Sequence, residues 1–238
     1  MTVPTDSPAA PAWPSCQAED GCRGAQLGGS SACLAHLNES ELVDLLFTLK
    51  PGSDLDLRGT QVEGKRLARL LTALYDEYGR LRLGSSQFNE AQFTGITRFN
   101  EAQFTGDADF SGAQFHGDAW FLEAQFTGIA KFHRAQFSAG AQFVDAKFTG
   151  DAQFLWVQFG GVAAFSDAKF TEAAFGDAKF TGDAWFDGTQ FAERAEFTKV
   201  QFTAGPCSMG PSSARTPGST RRGLPVQWFL APCSSTTP

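Results

Sequence analysis

Four residues near the start of the chain have types and spacing suited to holding a metal ion. Cys16, Cys22, Cys33 and His36 follow the pattern C-x5-C-x10-C-x2-H. Three thiolates and one imidazole make a closed tetrahedral shell for structural zinc, with no open position left for a substrate. The C-x2-H pair is well spaced for one ion, and the C-x5-C pair is looser than in common zinc fingers. The surrounding stretch is short, polar and glycine-rich, and such a stretch needs a staple to hold one fold. The set is read as a candidate site for one structural zinc. Reduced cysteines in a flexible segment are the alternative.

Little else in the chain is equipped for chemistry. His116 and His133 each follow a phenylalanine at outward positions and have no serine or cysteine nucleophile set by spacing. The sequence has no phosphate loop, nucleophile elbow or metalloprotease motif, so the chain is expected not to be an enzyme. The net charge is −7, and residues 88–202 carry 15 acidic against 8 basic residues. That balance argues against direct binding to nucleic-acid phosphates. No apolar run approaches a membrane span and no secretory leader is visible. The expected location is the cytoplasm, where the five cysteines do not read as a disulfide framework.

The elements that must position these residues divide the chain. Residues 1–15 read as a disordered lead, 16–37 as the zinc knuckle and 38–85 as a helix–strand–helix cap. Asn38 and Glu41 have capping-box spacing, and Leu42, Leu45, Leu46 and Leu49 share a helical face that stops at Pro51-Gly52. Residues 53–62 alternate around Leu55, Leu57 and Val62 and should be extended. A second helix is expected over Glu63–Tyr78, with Leu67, Leu70, Leu71, Leu74 and Tyr78 on one stripe and Gly79 as its cap.

From Phe88 to Phe202 a phenylalanine recurs at alternating steps of five and six residues, 22 times in all. The step from Phe170 to Phe175 is five where six is due. Two residues before each phenylalanine stands a small residue, alanine at 17 of the 22 positions. A short fixed period with one small and one large apolar position signals a solenoid. Residues 203–238 lose the repeat. This low-complexity tail is compatible with a disordered end, a fold-back cap, a dimerisation segment or a frameshifted continuation.

Runs such as Ala102-Gln103-Phe104-Thr105-Gly106-Asp107-Ala108-Asp109-Phe110 resemble the pentapeptide-repeat family, in a Phe-centred eleven-residue variant that looks actinobacterial. The resemblance covers residues 86–202. It implies an all-β solenoid, a right-handed quadrilateral β-helix of about five coils, with a small N-terminal Cys/His and α-helical cap. Each pentapeptide would form one side of a square coil, with phenylalanine and the small residue inside. The missing residue after Phe170 should tighten one corner and bend or twist the rod.

Outward residues then fall into columns. Gln92, Gln114, Gln136, Gln158 and Gln201 share a face with Lys179. Glu101, Glu123, Asp145 and Asp167 share a corner, with Lys147 and Lys169 near enough to compensate. Trp120 and Trp185 share an outer face. These six acidic and aromatic residues form the candidate interaction surface, against the plainer reading of solvated corners and surface aromatics. The leading functional reading is a non-enzymatic scaffold for an unknown protein partner, acting as a monomer or as a homodimer through its C-terminal end. The resemblance also implies an alternative, since some relatives mimic DNA and modulate gyrase and other topoisomerases. A zinc-dependent adaptor is the third reading.

Overall fold

A computed structural model describes residues 11–203 and 206–207 of the chain. From Leu55 onward the backbone winds as a parallel β-solenoid with four sides to each coil. The first side stacks Leu55–Asp56 on Ser86–Gln87 and then on Ala108–Asp109. The second stacks Gln61–Glu63 on Gln92–Thr94 and Gln114–Phe115. Thr97–Arg98 on Ala119–Trp120 begins the third, and Arg82–Leu83 on Gln103–Phe104 the fourth. Longer strands, Lys147–Gln153 and Lys169–Ala174, run round one corner and join the fourth and first sides into one sheet.

The alternation of five and six residues has a direct structural cause. Each phenylalanine points inward and meets the equivalent ring of the next coil. The paired rings are near-parallel, from 4.6 Å apart for Phe104–Phe126 to 5.4 Å for Phe99–Phe121. That separation matches the spacing of hydrogen-bonded strands, about 4.7–4.9 Å, so one ring per strand forms an offset stack with no adjustment. Across the coil the columns meet edge to face, as in Phe132–Phe143 at 5.5 Å and 88°. Little room is left for the second inward position, and Ala108, Ala130 and Ala152 stack there in register.

Five-residue steps turn a tight corner. The residue two after phenylalanine is left-handed there, with φ of 54–57° at Glu90, Glu101, Glu123, Arg134, Asp145, Trp156, Asp167, Asp177 and Lys199. Gly112 and Gly188 hold equivalent positions. The corner closes when the next small residue donates its N–H to the phenylalanine carbonyl, as Ala91 does to Phe88 at 3.1 Å. Six-residue steps make the wider corner. Asp107 and Asp118 accept there from the N–H groups of Ile129 and Gly140 in the next coil, both at 2.9 Å. Backbones come close at this corner, and a Cβ on Gly150 would lie 2.2 Å from the Gly128 carbonyl oxygen.

The missing residue after Phe170 is absorbed where expected. Register shifts between Phe148 and Asp151, opposite Phe170 and Glu172. The aromatic columns pass through intact, with Phe148–Phe170 at 4.6 Å and 8° and Phe154–Phe175 at 4.8 Å and 3°.

The N-terminal end departs from the expected plan. The first coil lies within residues 55–83 and uses Leu57, Val62 and Leu83 in place of phenylalanine. Helix α2 (Gly64–Thr72) occupies its third side and buries Leu67, Leu70 and Leu71. It ends at Thr72, short of Tyr78. The Asp76 carboxylate accepts from the N–H groups of Tyr78 and Arg80. This forms a turn that returns the chain to the fourth side, leaving Tyr78 73% exposed and Gly79 left-handed in the turn rather than at a helix cap. Helix α1 (Glu39–Thr48) has the expected capping box. Asn38 Oδ1 accepts from the Glu41 N–H, and Glu41 Oε2 accepts from the Asn38 N–H. Composition groups residues 11–15 with the lead, yet they are held in place. Ser15 bridges Ala25, and the Trp13 indole donates to the Arg23 carbonyl beneath the Arg58 guanidinium. Tail residues 208–238, and with them the proposed C-terminal dimerisation segment, lie outside the described residues.

Phe132 is fully buried, stacked on Phe110 at 4.9 Å and on Phe154 at 4.8 Å. Replacing it with alanine should cost about 3–5 kcal/mol. Phe197→Ala in the last coil, where the ring is only partly buried, should cost less. Urea unfolding of the two variants tests the order.

Candidate metal centre and outer columns

The N-terminal segment closes over the first coil. The Ala25 N–H donates to the Arg58 carbonyl at 2.7 Å, meeting an edge group of the first coil that has no earlier strand to pair with. Arg66 donates to the carbonyls of Leu34 and Leu37, tying the segment to α2. Leu27, Leu34 and Leu37 join the same apolar core as the phenylalanines.

This packing gathers the four sequence-distant ligand candidates. The donor atoms of Cys16, Cys22, Cys33 and His36 all lie within 4.8 Å of one another, a constellation that could hold a metal ion. Cys22 Sγ is 3.8 Å from Cys33 Sγ. His36 Nδ1 is 3.4 Å from Cys16 Sγ and 3.5 Å from Cys33 Sγ. The other ring nitrogen, Nε2, meets the Glu19 carboxylate at 2.7 Å. A carboxylate there fixes which nitrogen is free to coordinate and raises its basicity.

The thiols are electrostatically unequal. Burial pushes Cys33 up to about 12, and the neighbouring sulfurs of Cys22 and Cys16 add to it against the Ala35 N–H. Burial also raises Cys16, but hydrogen bonds from the Cys33 and Ala18 backbone and from His36 outweigh it and bring this thiol to about 7. A buried Cys33 thiol stays protonated at neutral pH, so a bound cation must displace its proton. Glu19 and Gly24 escaped the sequence reading, since nothing in their spacing sets them apart. A Cβ on Gly24 would lie 2.7 Å from both Cys33 Cβ and Cys33 Sγ.

The outer columns run as the period implies. Gln92, Gln114, Gln136, Gln158, Lys179 and Gln201 are successive partners, and Gln61 of the first coil extends the series. Glu101, Glu123, Asp145 and Asp167 occupy one left-handed corner and are all exposed. Glu123, Asp145 and Asp167 line a groove of about 320 Å³ with Gln125, Lys147 and Lys169. On the adjoining side one outward column runs Arg98, Trp120, Gln142, Ala164, Trp185. Trp120 lies half-buried, with the Arg98 guanidinium 4.8 Å from its ring, and Trp185 is 41% exposed. Trp120 and Glu123 are three residues apart, so the aromatic and acidic columns run side by side. The structure places His133 half-buried, and burial pushes its imidazole below the ordinary range.

A family model described as pentapeptide repeats matches residues 83–125 and 165–210. Both matched stretches carry the Phe-centred repeat just described. The chain is a pentapeptide-repeat protein. No curated protein and no solved structure gives a significant match. The family match begins at residue 83, where the last side of the first coil precedes the first phenylalanine. The Cys/His segment therefore lies outside the matched repeats, attached to their N-terminal edge. No helix among the described residues is long and apolar enough to cross a membrane.

Gly24→Ala should force Cys33 out of place and lower stability by about 1–3 kcal/mol. Gly21→Ala is the comparison, since a Cβ there meets nothing within 4 Å but strains a φ of 79°. Thermal unfolding should show the larger loss at Gly24.

Proposed function

We propose that this pentapeptide-repeat protein is a non-enzymatic, cytoplasmic scaffold for a protein partner, with its N-terminal end closed by one structural zinc ion. The observation that carries the metal reading is the geometry of the donor atoms. Zinc binds thiolate sulfur at about 2.3 Å and imidazole nitrogen at about 2.0–2.1 Å in a tetrahedron. The edges of that tetrahedron are then about 3.8 Å between sulfurs and about 3.5 Å between sulfur and nitrogen. The observed 3.8, 3.4 and 3.5 Å match three of the six edges, and the four donor atoms together lie within 4.8 Å. Cys16, Cys22, Cys33 and His36 would hold the ion. It would supply no chemistry beyond tying residues 16–36 to the coil. Three unpaired thiols in one cluster suit a reducing compartment.

The scaffold reading rests on the side of the rod where the tryptophan and carboxylate columns adjoin. The left-handed corner is a position where glycine avoids the Cβ clash. The chain nevertheless holds a carboxylate there on four successive coils, beside the column that carries half-buried Trp120 and, one coil beyond the last carboxylate, exposed Trp185. Aromatic anchors bordered by charge are the usual content of a protein interface. The carboxylates favour a partner that offers lysine or arginine.

Metal analysis of the purified full chain should find one zinc per chain, and Cys33→Ser should lose it. Zinc affinity should rise with pH, because binding displaces thiol protons, the buried Cys33 proton above all. An affinity indifferent to pH would contradict the thiolate shell. For the scaffold, affinity capture from native extract should lose its specific partner with Trp185→Ala and with Glu123→Lys/Asp145→Lys. Gln136→Ala on the glutamine side should keep it. Retention by all three variants would move the interface elsewhere.

A further inference from the structure

The four ligand candidates differ in how open they are. Cys33 is wholly buried and Cys16 is 6% exposed. Cys22 is half-buried and lines an open cleft of about 560 Å³ between the Cys/His segment and the start of the glutamine column. Glu19, His36, Arg23, Gln61 and Gln92 share that wall. One sulfur of the set is thus within reach of a small solute, and its neighbour Cys33 stands 3.8 Å behind it. The Arg23 guanidinium is paired with Glu90 across the same cleft at 3.1 Å.

We propose that Cys22 is a modification site for hydroperoxides, and that its oxidation joins it to Cys33 and frees the zinc ion. This rests on the zinc reading given above. The half-buried Cys22 thiolate, open to the cleft, attacks a peroxide oxygen, so the O–O bond breaks and an S–O bond forms. The leaving hydroxide takes a proton to become water. Cys33 Sγ then attacks Cys22 Sγ, the S–O bond breaks, an S–S bond forms and a second water leaves. Two thiolates, one hydrogen peroxide and two protons give one disulfide and two waters. The sulfurs lose the two electrons that the peroxide gains. Half of the metal shell is consumed, and Cys16 with His36 cannot retain the ion alone. The tie between residues 16–36 and the first coil then rests on the Ala25–Arg58 and Arg66 hydrogen bonds and the leucine contacts.

The test uses the full chain carrying Cys207→Ser and Cys233→Ser, loaded with zinc and titrated with hydrogen peroxide. A chromogenic chelator follows zinc release, and peptide mapping locates the disulfide. Zinc and a Cys22–Cys33 disulfide should appear in equal amounts, and dithiothreitol with added zinc should reverse both. Dimedone should trap the intermediate at Cys22. Cys22→His keeps a nitrogen ligand and removes the open sulfur, so it should retain zinc at peroxide doses that empty the parent. Trapping at Cys16, a disulfide that excludes Cys22, or a zinc-loaded parent that resists peroxide as well as Cys22→His does would overturn the proposal while leaving the zinc reading intact. A chain that takes up no zinc overturns both.

Discussion

The spacing of hydrogen-bonded strands and the spacing of offset-stacked aromatic rings are nearly the same length, and this chain is built on that coincidence. A phenylalanine placed once per side meets its neighbour of the next coil at 4.6–5.4 Å without leaving register. No aliphatic residue is needed inside the repeat except at its small position. The cross-coil rings then meet edge to face, so each column supports the others. Burial of a phenylalanine is worth about 1.5–3 kcal/mol, and the ladder repeats that gain with every side.

Once the interior is committed, everything else is displaced to the corners, the outer faces and the ends. Corner residues have backbone duties first. The left-handed positions close the tight turns, and Asp107 and Asp118 hold the wide ones by accepting from the next coil. The outer threonines are similarly occupied, with Thr105, Thr127 and Thr149 each donating to a carbonyl of the preceding coil. What remains free to meet a partner is narrower than the outer surface suggests. It is chiefly the exposed corner carboxylates, the tryptophan column and the glutamine column.

The ends pose a different problem, because a parallel coil always leaves backbone groups unpaired at its edge. At the N-terminal edge the repeat is relaxed in stages. Phenylalanine gives way to leucine and valine, one side becomes helical, and the Arg58 carbonyl is met by the Cys/His segment. That segment is short and glycine-rich, so a metal tie at this point would be a physical economy. It is also the one place where the chain concentrates thiols, which is why chemistry, if the rod has any, belongs at this edge.

The columns of the solenoid were legible in the sequence because a strict period converts directly into position. Phe88 over Phe110, Gln92 over Gln114 and Glu101 over Glu123 follow from counting. The capping box at Asn38 and Glu41 was legible because it is a local interaction between near neighbours. The early end of α2 was not, because the turn at Asp76 competes with a leucine stripe and wins only when Leu83 must return to the fourth side. Nor could the sequence show that Leu55, Leu57 and Val62 begin the solenoid, since their partners lie 31 residues away and share no residue type with them. For the candidate metal centre, the four residue types and the C-x2-H spacing were written in the chain. Their convergence within 4.8 Å, the Glu19 contact to His36 and the opening of Cys22 to the cleft were decided by packing against the first coil. Periodic order is encoded residue by residue, whereas a site built by a loop against a solenoid edge exists only once both surfaces are in place.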